Sequence, residues 1–119
     1  MDKLEHIFIL QEQLDAKISQ DHKADFDLET WIEKEILAII SELGEVLAET
    51  NFKWWKNPRE INSAALKEEI IDVFHFLISL CLKVGITPEE LYEVYLIKNN
   101  ENLRRQEGLS EKEGYSISE

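Results

Sequence analysis

The chain has 119 residues, which suits a single domain, and its shares of hydrophobic (44%) and charged (32%) residues are typical of folded proteins and not of disordered ones. Asp and Glu number 25 against 13 Lys and Arg, and the resulting formal charge of −12 argues against binding to nucleic acid or to an anionic membrane. Because no apolar run reaches the roughly 20 residues that cross a bilayer, and the first residues lack a signal-peptide pattern, we expect a cytoplasmic protein with no membrane partner.

Two helices are predicted in the first half of the chain. Residues 2–19 carry an apolar stripe at helical spacing, and the polar stretch 20–27 is expected to end it. The stripe consists of Leu4, Ile7, Leu14 and Ile18. Asp27 is a suitable N-cap for a second helix over about 28–50. The apolar side of that helix consists of Ile32, Ile36, Ile39, Leu43 and Leu47.

Two further helices are predicted after the loop NFKWWKNPRE. The third covers about 62–84, and its second half is so apolar that we expect it to be surrounded by protein, with Cys81 as a buried thiol. The fourth begins with Thr87 as N-cap and Pro88 in the first turn, and it ends near Gly108. Since no segment alternates like a strand and short connections join helices of similar length, we predict an all-α fold, an antiparallel four-helix bundle.

Two acidic pairs lie beside the apolar stripes of the second and third helices. Glu42 and Glu45 form an E-x-x-E pair, and Glu69 and Asp72 form an E-x-x-D pair. Like charges at this spacing repel by roughly 0.2–0.5 kcal/mol per pair. A lone E-x-x-E is more often a solvated helix face, but two pairs on neighbouring helices would bring four carboxylates into a half-dry groove. Because Mg²⁺ prefers oxygen ligands and would remove the repulsion, we predict a metal site.

These motifs and their surroundings resemble one known family. The segments ELGEVLAETNFKWWK, EEIIDVFHFLISL and KNNENLRRQEGLSEKEGY are similar to those of the dimeric dUTPases, a branch of the all-α nucleoside triphosphate pyrophosphatases that also include MazG-like enzymes. The resemblance covers about residues 4–115 and implies one domain over residues 1–119 with the bundle fold of that superfamily. Since the chain lacks the extra helices of longer members, a second copy should cover its apolar surface. We therefore expect a homodimer whose fold is ordered by oligomerisation.

The activity that the resemblance implies is metal-assisted hydrolysis of dUTP to dUMP and pyrophosphate, with dUDP as a further substrate. Two or three Mg²⁺ ions, held by Glu42, Glu45, Glu69 and Asp72, would neutralise the triphosphate and acidify an attacking water. By its position in the motif, Glu45 is the residue expected to help deprotonate that water. The resemblance favours attack at the β phosphorus.

Gln11 and His75 are the predicted contacts to the base or sugar. Gln11 interrupts the apolar stripe of the first helix, where it is either a boundary residue or a buried amide that needs hydrogen-bond partners. The resembled family uses a Q-x-x-L-N segment there to read the uracil edge, but this chain has QEQLD, so Asp15 replaces the second amide. His75 lies one turn after Asp72 and either contacts the nucleotide or is a core histidine bonded to a carbonyl.

The fourth helix carries the predicted phosphate contacts. Lys98, Asn102 and Arg105 continue its apolar stripe as a line of hydrogen-bond donors, which suits a polyphosphate because Arg can hold two oxygens at once. Solvated charges near a helix C-terminus, where the helix dipole favours cations, produce the same pattern. The resemblance favours the phosphate interpretation.

The loop and the tail supply the last predicted contacts. In FKWWK, Trp55 and its neighbour either cover the helices or stack beside a base, and Lys53 is a predicted phosphate contact. By resemblance, residues 108–119 form a flexible lid that closes over bound nucleotide with Tyr115 packed down, which would exclude water from the reacting groups.

Other functions fit parts of the same sequence. A MazG-like or dCTPase-like pyrophosphatase would share the metal site and differ in its base. A helical interaction protein without catalytic activity would use the acidic stripes for solubility and FKWWK to meet its partner. A ferritin-like di-iron bundle is disfavoured, because no Glu-x-x-His pair occurs at the acidic motifs.

Overall fold

The chain folds into helices. In a computed structural model that describes residues 1–109 and 111, these residues form four helices and no strand. The helices are α1 (Lys3–His22), α2 (Leu28–Ala48), α3 (Ser63–Val84) and α4 (Pro88–Gln106). The predicted all-α fold class is confirmed, and the four helices are consistent with the predicted bundle.

Each helix begins at a polar side chain that accepts a hydrogen bond from a backbone N–H of the first turn. These N-caps are Asp2, Asp27, Asn62 and Thr87. The two predicted caps are confirmed, because Asp27 accepts from the N–H of Thr30 at 2.8 Å and Thr87 from that of Glu90 at 3.1 Å. The hydrogen bonds with Thr30 also lower the pKa of the Asp27 carboxyl group.

The end of α1 differs from the prediction by three residues. The helix continues through His22 and stops at Lys23, whose φ of 51° lies in the left-handed region. The N–H of Ala24 then bonds to the carbonyl of Ser19 at 3.0 Å. Exposed polar side chains are compatible with a helix, so the polar stretch alone does not end α1. The helix ends where Lys23 adopts the left-handed conformation. Gly85, with φ of 83°, ends α3 in the same way.

The chain separates into two compact units, Met1–Gly85 with α1 to α3, and Ile86–Glu119 with α4. In the first unit α3 is the central helix and packs against both α1 and α2. Gln11 and Asp15 of α1 contact His75 and Ser79 of α3 in the same order, so α1 runs parallel to α3.

The direction of α2 follows from two contacts with α3. Glu35 reaches Ser79, whereas Glu42, two turns later on α2, meets Asp72, which lies earlier on α3. The two helices are therefore antiparallel. This arrangement brings the acidic pairs of both helices to one level and leaves a second group of polar residues about two turns away.

The interior of the first unit is unusually polar for a small domain. Its buried apolar side chains are Phe8, Val73 and Ile78, and its buried polar side chains are Gln11, Glu35 and Ser79. The expectation that the second half of α3 is surrounded by protein is wrong for Phe74, which is 55% exposed. Cys81 is half-buried, and burial raises the pKa of its thiol.

Large apolar side chains remain exposed on every helix of the protomer. Ile7 on α1, Leu37 on α2, Ile71 on α3 and Ile97 on α4 each expose half or more of their surface. No single helix in the described part of the chain has the length and apolarity to cross a membrane, and only α3 and α4 taken together, across the break between them, reach that length and composition.

Candidate active site

Three carboxyl groups from α2 and α3 converge in the first unit. Glu42, Glu69 and Asp72 each offer one oxygen atom, and these three atoms lie within 4.8 Å of one another. Glu42 and Glu69 are half-buried and Asp72 is exposed. The i, i+3 spacing of the pair on α3 places both of its side chains on one side of the helix, toward α2. The structure thus brings together three of the four predicted metal ligands, which we call the acidic cluster.

Glu45, the fourth predicted ligand, lies at the edge of the acidic cluster. It is exposed, its carboxyl group shares a hydrogen bond with Glu69, and its charge acts on Glu42. Its oxygens do not belong to the set of three that lie within 4.8 Å of each other. Glu45 is therefore placed beside the cluster, nearer to solvent than Glu42 or Glu69.

Proximity within the cluster changes its acidity. The pKa of Glu42 is raised, first by desolvation and then by the charge of Glu45. The pKa of Glu69 is raised, first by its hydrogen bond with Glu45 and then by desolvation. Both glutamates also keep one buried oxygen, Oε2, with no hydrogen-bond partner among residues 1–109 and 111.

The donor set fits a hard divalent cation. All of its atoms are carboxylate oxygens, which Mg²⁺ prefers, and they come from two packed helices that hold them close together. Buried oxygens without a partner are unfavourable unless a cation or a proton satisfies them. An ion at Glu42, Glu69 and Asp72 would supply positive charge beside the two glutamates that each hold such an oxygen.

A second polar group begins at Gln11, about one turn of α3 beyond the cluster. Gln11 is 7% exposed; its Oε1 lies 2.7 Å from Nδ1 of His75 and its Nε2 donates to Asp15 at 2.8 Å. Because the amide nitrogen must face the carboxylate, Oε1 is the acceptor and Nδ1 of His75 donates. The interpretation of Gln11 as a boundary residue is wrong, since Gln11 is buried. His75 is exposed and therefore not a core histidine, although it does bond to a carbonyl oxygen, that of the Gln11 amide.

This group continues through α3 to α2. Oγ of Ser79 lies 2.7 Å from Oδ2 of Asp15 and 2.8 Å from Oε1 of Glu35. Burial raises the pKa of Glu35, and the nearby charge of Asp15 acts in the same direction. We call the five linked side chains the polar chain: His75, Gln11, Asp15, Ser79 and Glu35.

Sequence reasoning missed the inner half of the polar chain. Neither Glu35 nor Ser79 is among the predicted site residues, and the structure places Glu35 against Ser79, about two turns of α2 before Glu42. A signal for both residues exists: Ser79 interrupts the apolar run of α3, and Glu35 lies between Ile32 and Ile39 on the apolar side of α2. A polar residue inside an apolar stripe indicates a buried partner.

The sequence of the chain places it in a known family. A profile of the dUTPase family matches residues 3–89, a segment that contains the acidic cluster and the whole polar chain. The chain belongs to the all-α dUTPase family. The family membership predicted from the motifs is thereby confirmed, and the matched segment ends at the start of α4.

Two curated relatives of this dUTPase-family chain come from bacteriophages. It is 28% identical over 88 residues to the dCTP pyrophosphatase of Enterobacteria phage T4, and this match covers 62% of this chain and 52% of the relative. It is 40% identical over 42 residues to the dCTP pyrophosphatase of Enterobacteria phage LZ5, and this match covers 35% of this chain and 24% of the relative. The chain spans about half the length of the T4 protein. No solved structure matches it.

The loop between α2 and α3 presents two indole rings to solvent. Asn51 closes the loop through two hydrogen bonds with the backbone of Arg59, at 2.9 and 3.1 Å. Trp54 and Trp55 meet edge to face with ring centroids 5.7 Å apart, and they are 86% and 61% exposed. Covering the helices of the same unit is therefore excluded as their role, and Lys53 lies beside them with its ammonium 5.8 Å from the ring centre of Phe52.

A third tryptophan, also missed from the sequence, lies beside the polar chain. Nζ of Lys83 is 4.6 Å from the ring centre of Trp31, and Phe26 packs edge-on against the same ring at 5.0 Å. Lys83 also acts on Glu35, where its charge favours the ionised form. The attraction between a cation and an indole ring favours this position of Lys83, near the inner end of the polar chain.

Three of the predicted phosphate contacts lie on α4, in the second unit. Lys98 and Asn102 are exposed, and Arg105 is half-buried. Arg105 contacts Oδ1 of Asn102 at 3.4 Å and forms an ion pair with Glu101 at 3.4 Å. Tyr115 and most of the predicted lid lie outside the described residues, so the lid stays a prediction.

Proposed function

We propose that the chain is a Mg²⁺-dependent nucleotide pyrophosphohydrolase, which converts a pyrimidine deoxynucleoside triphosphate to the monophosphate and pyrophosphate. The observation that carries the proposal is the acidic cluster of Glu42, Glu69 and Asp72 with Glu45 at its edge. The family name and the names of the phage relatives support the reaction class. They also give two candidate substrates, dUTP and dCTP. A further candidate is dUDP, which would be converted to dUMP and phosphate.

The acidic cluster would hold the metal. Glu42, Glu69 and Asp72 are the proposed ligands, and Glu45 is the fourth. When bound, two or three Mg²⁺ ions would neutralise the triphosphate and lower the pKa of an attacking water. Glu45 is the proposed general base, because it is exposed at the edge of the cluster, beside the glutamates that would hold the metal.

The remaining substrate contacts are proposed from the chemistry of the side chains. On α3 and α1, His75 and Gln11 would meet the base or sugar, since they lie beyond Asp72 on the same side of the unit. The exposed indole of Trp55 offers a surface for stacking on the base. The proposed phosphate contacts are Lys53, Lys98, Asn102 and Arg105, and the proposed lid residue is Tyr115.

We also propose that the chain acts as a homodimer. Among the described residues no large side chain is fully buried, and apolar side chains are exposed along all four helices. Burial of apolar surface yields roughly 25 cal/mol per Å², so a second copy that covers these faces would stabilise the fold. Sedimentation at several protein concentrations tests this: a monomer at all of them would contradict it.

The experiment for the proposed function is a pyrophosphate-release assay with each dNTP in the presence of Mg²⁺. We expect hydrolysis of a pyrimidine dNTP that stops when EDTA is added. Glu69→Gln should abolish this activity, whereas Glu68→Gln, the same change at the adjacent exposed position of α3, should preserve it. Absence of hydrolysis for every dNTP would favour the non-catalytic interaction protein, and equal loss in both variants would argue against the cluster as the active site.

A further inference from the structure

Asp15 occupies the position where the polar chain reaches solvent. It is half-buried, whereas Gln11 and Ser79 on either side of it are buried. Its Oδ1 accepts from Nε2 of Gln11 at 2.8 Å and its Oδ2 lies 2.7 Å from Oγ of Ser79. A carboxylate can accept about four hydrogen bonds, so both oxygens retain capacity for another donor.

A cavity adjoins this carboxylate. It has a volume of about 310 Å³. Its walls come from α1 and α3 and consist of Glu12, Asp15, Ala16, Ser19, Leu82 and Lys83. Pockets that hold small ligands begin at roughly this size, about 300 Å³. A donor that enters the cavity can reach the unused acceptor positions of Asp15.

The Ser79 hydroxyl links the carboxyl groups of Asp15 and Glu35. Its Oγ lies 2.7 Å from Oδ2 of Asp15 and 2.8 Å from Oε1 of Glu35, and its one hydrogen can be donated to either of them. Glu35 is 7% exposed and burial raises its pKa. Gln11 and Ser79 together hold the two oxygens of the Asp15 carboxyl group in place.

The separation between Asp15 and the acidic cluster matches the two ends of a nucleotide. Ser79, which contacts Asp15, lies seven residues after Asp72 on α3. At a rise of about 1.5 Å per residue this is about 10 Å along the helix. A deoxyribose can bridge this gap, with the triphosphate at the cluster and the base at Asp15.

We infer that Asp15 is a specificity-determining residue, which accepts a hydrogen bond from the exocyclic amino group of cytosine and makes dCTP the preferred substrate over dUTP. The inference rests on the proposed function, because it takes the acidic cluster as the triphosphate site. Ser79 is a positioning residue in this account, and Gln11 also positions the carboxylate of Asp15 besides its proposed contact with the base or sugar.

The donors and acceptors on the two bases explain the preference. Cytosine presents an amino group, a donor that carboxylates accept from in proteins that read bases. Uracil has a carbonyl oxygen at the same position, and a carboxylate there would face its lone pairs. The one ring N–H of uracil lies between two carbonyl oxygens, so a carboxylate that accepted from it would bring its second oxygen close to one of them. An asparagine could donate to that carbonyl, whereas Asp15 cannot.

The test compares kcat/KM for dCTP and dUTP in wild type, in Asp15→Asn and in Asp21→Asn, a control with the same change at an exposed position of α1. We expect wild type to favour dCTP by roughly tenfold or more, and Asp15→Asn to shift the ratio toward dUTP by a similar factor. The control should keep the wild-type ratio. A wild type that favours dUTP, or a ratio that Asp15→Asn leaves unchanged, would overturn the inference while the proposed function stands.

A binding measurement separates the two proposals and does not depend on the folding of a variant. Calorimetry in EDTA with wild type compares dCMP, dUMP and the analogue of dCMP that has hydrogen in place of the amino group. Tighter binding of dCMP than of both others supports the role of Asp15, even if no dNTP is hydrolysed and the proposed function fails. Equal binding of dCMP and the analogue overturns the inference, because the smaller analogue lacks only the amino donor and introduces no clash.

Discussion

The hydroxyl oxygen of Ser79 lies 2.8 Å from a carboxyl oxygen of Glu35 inside the packed first unit, although the two residues are 44 positions apart in the chain. This contact joins α3 to α2 at a level where both residues are buried. Removal of one partner from a buried hydrogen bond destabilises the fold more than replacement of both partners by apolar groups. The contact therefore has a measurable effect on stability.

Removal of the hydroxyl should destabilise the fold. Ser79→Ala leaves the carboxyl groups of Glu35 and Asp15 without their shared partner, and we expect the free energy of unfolding to fall by about 1–3 kcal/mol. Ser41→Ala, at an exposed position of α2, should change it by less than about 0.5 kcal/mol. Urea denaturation of the three proteins measures the difference. Equal stability of Ser79→Ala and wild type would show that the contact does not hold α2 and α3 together.

The acidity of Glu35 should be visible in the pH dependence of stability. Burial raises its pKa above the ordinary value of 4.5, so between that value and the raised one the folded state binds a proton that the unfolded chain has lost. With respect to this group, stability should therefore be highest at and below pH 4.5, and fall as the pH rises from 4.5 through the raised pKa of the folded state.

The variant Glu35→Gln isolates this contribution. Glutamine can donate to Ser79 at every pH, so the difference in the free energy of unfolding, variant minus wild type, should grow as the pH rises from 4.5 to 8 without metal. Glu42 and Glu69 titrate in both proteins and cancel in the difference. Parallel pH profiles for the two proteins would mean that the folded state does not hold a proton at Glu35.

The location of Glu45 at the edge of the acidic cluster predicts a separation of binding from catalysis. Glu45→Gln removes the proposed base and keeps the three closest carboxylates, so we expect kcat to fall by about 10²–10⁴-fold while Mg²⁺ still stabilises the fold. Glu49→Gln, four residues further at the C-cap of α2, is the control and should retain kcat. If Glu45→Gln loses both its activity and its stabilisation by Mg²⁺, the main role of Glu45 is to bind the metal and not to act as the base.

Periodicity and capping were enough to predict the helices, because both depend on residues close in sequence. Asp27 and Thr87 cap their helices as expected, whereas the end of α1 depends on the left-handed conformation of Lys23, for which a lysine gives no signal. The meeting of the acidic pairs was also predictable, since their spacing and their place beside the apolar stripes direct them toward each other.

The polar chain was only half predictable, because it depends on which turns of three helices lie side by side. Gln11 was identified as a polar residue in an apolar stripe, but its partners His75 and Asp15 depend on how α1 lies along α3. The contact of Ser79 with Glu35 depends on how α2 and α3 align, which neither helix shows on its own. The apolarity of α3 likewise did not predict which of its side chains stay exposed in a single copy, such as Phe74.

The most direct test of the account is the thermal stability of the protein with and without Mg²⁺, measured on wild type and two double variants. Glu42→Gln with Glu69→Gln replaces the two half-buried carboxyl groups of the cluster with neutral amides and so removes their mutual repulsion, and Glu33→Gln with Glu68→Gln makes the same changes at exposed positions of the same helices. We predict that Mg²⁺ at 100 times its Kd stabilises wild type and the exposed variant by about 2.7 kcal/mol. The cluster variant should be more stable than wild type without metal and gain nothing from Mg²⁺. Equal effects of Mg²⁺ on both variants, or none on wild type, would contradict a metal site at Glu42, Glu69 and Asp72.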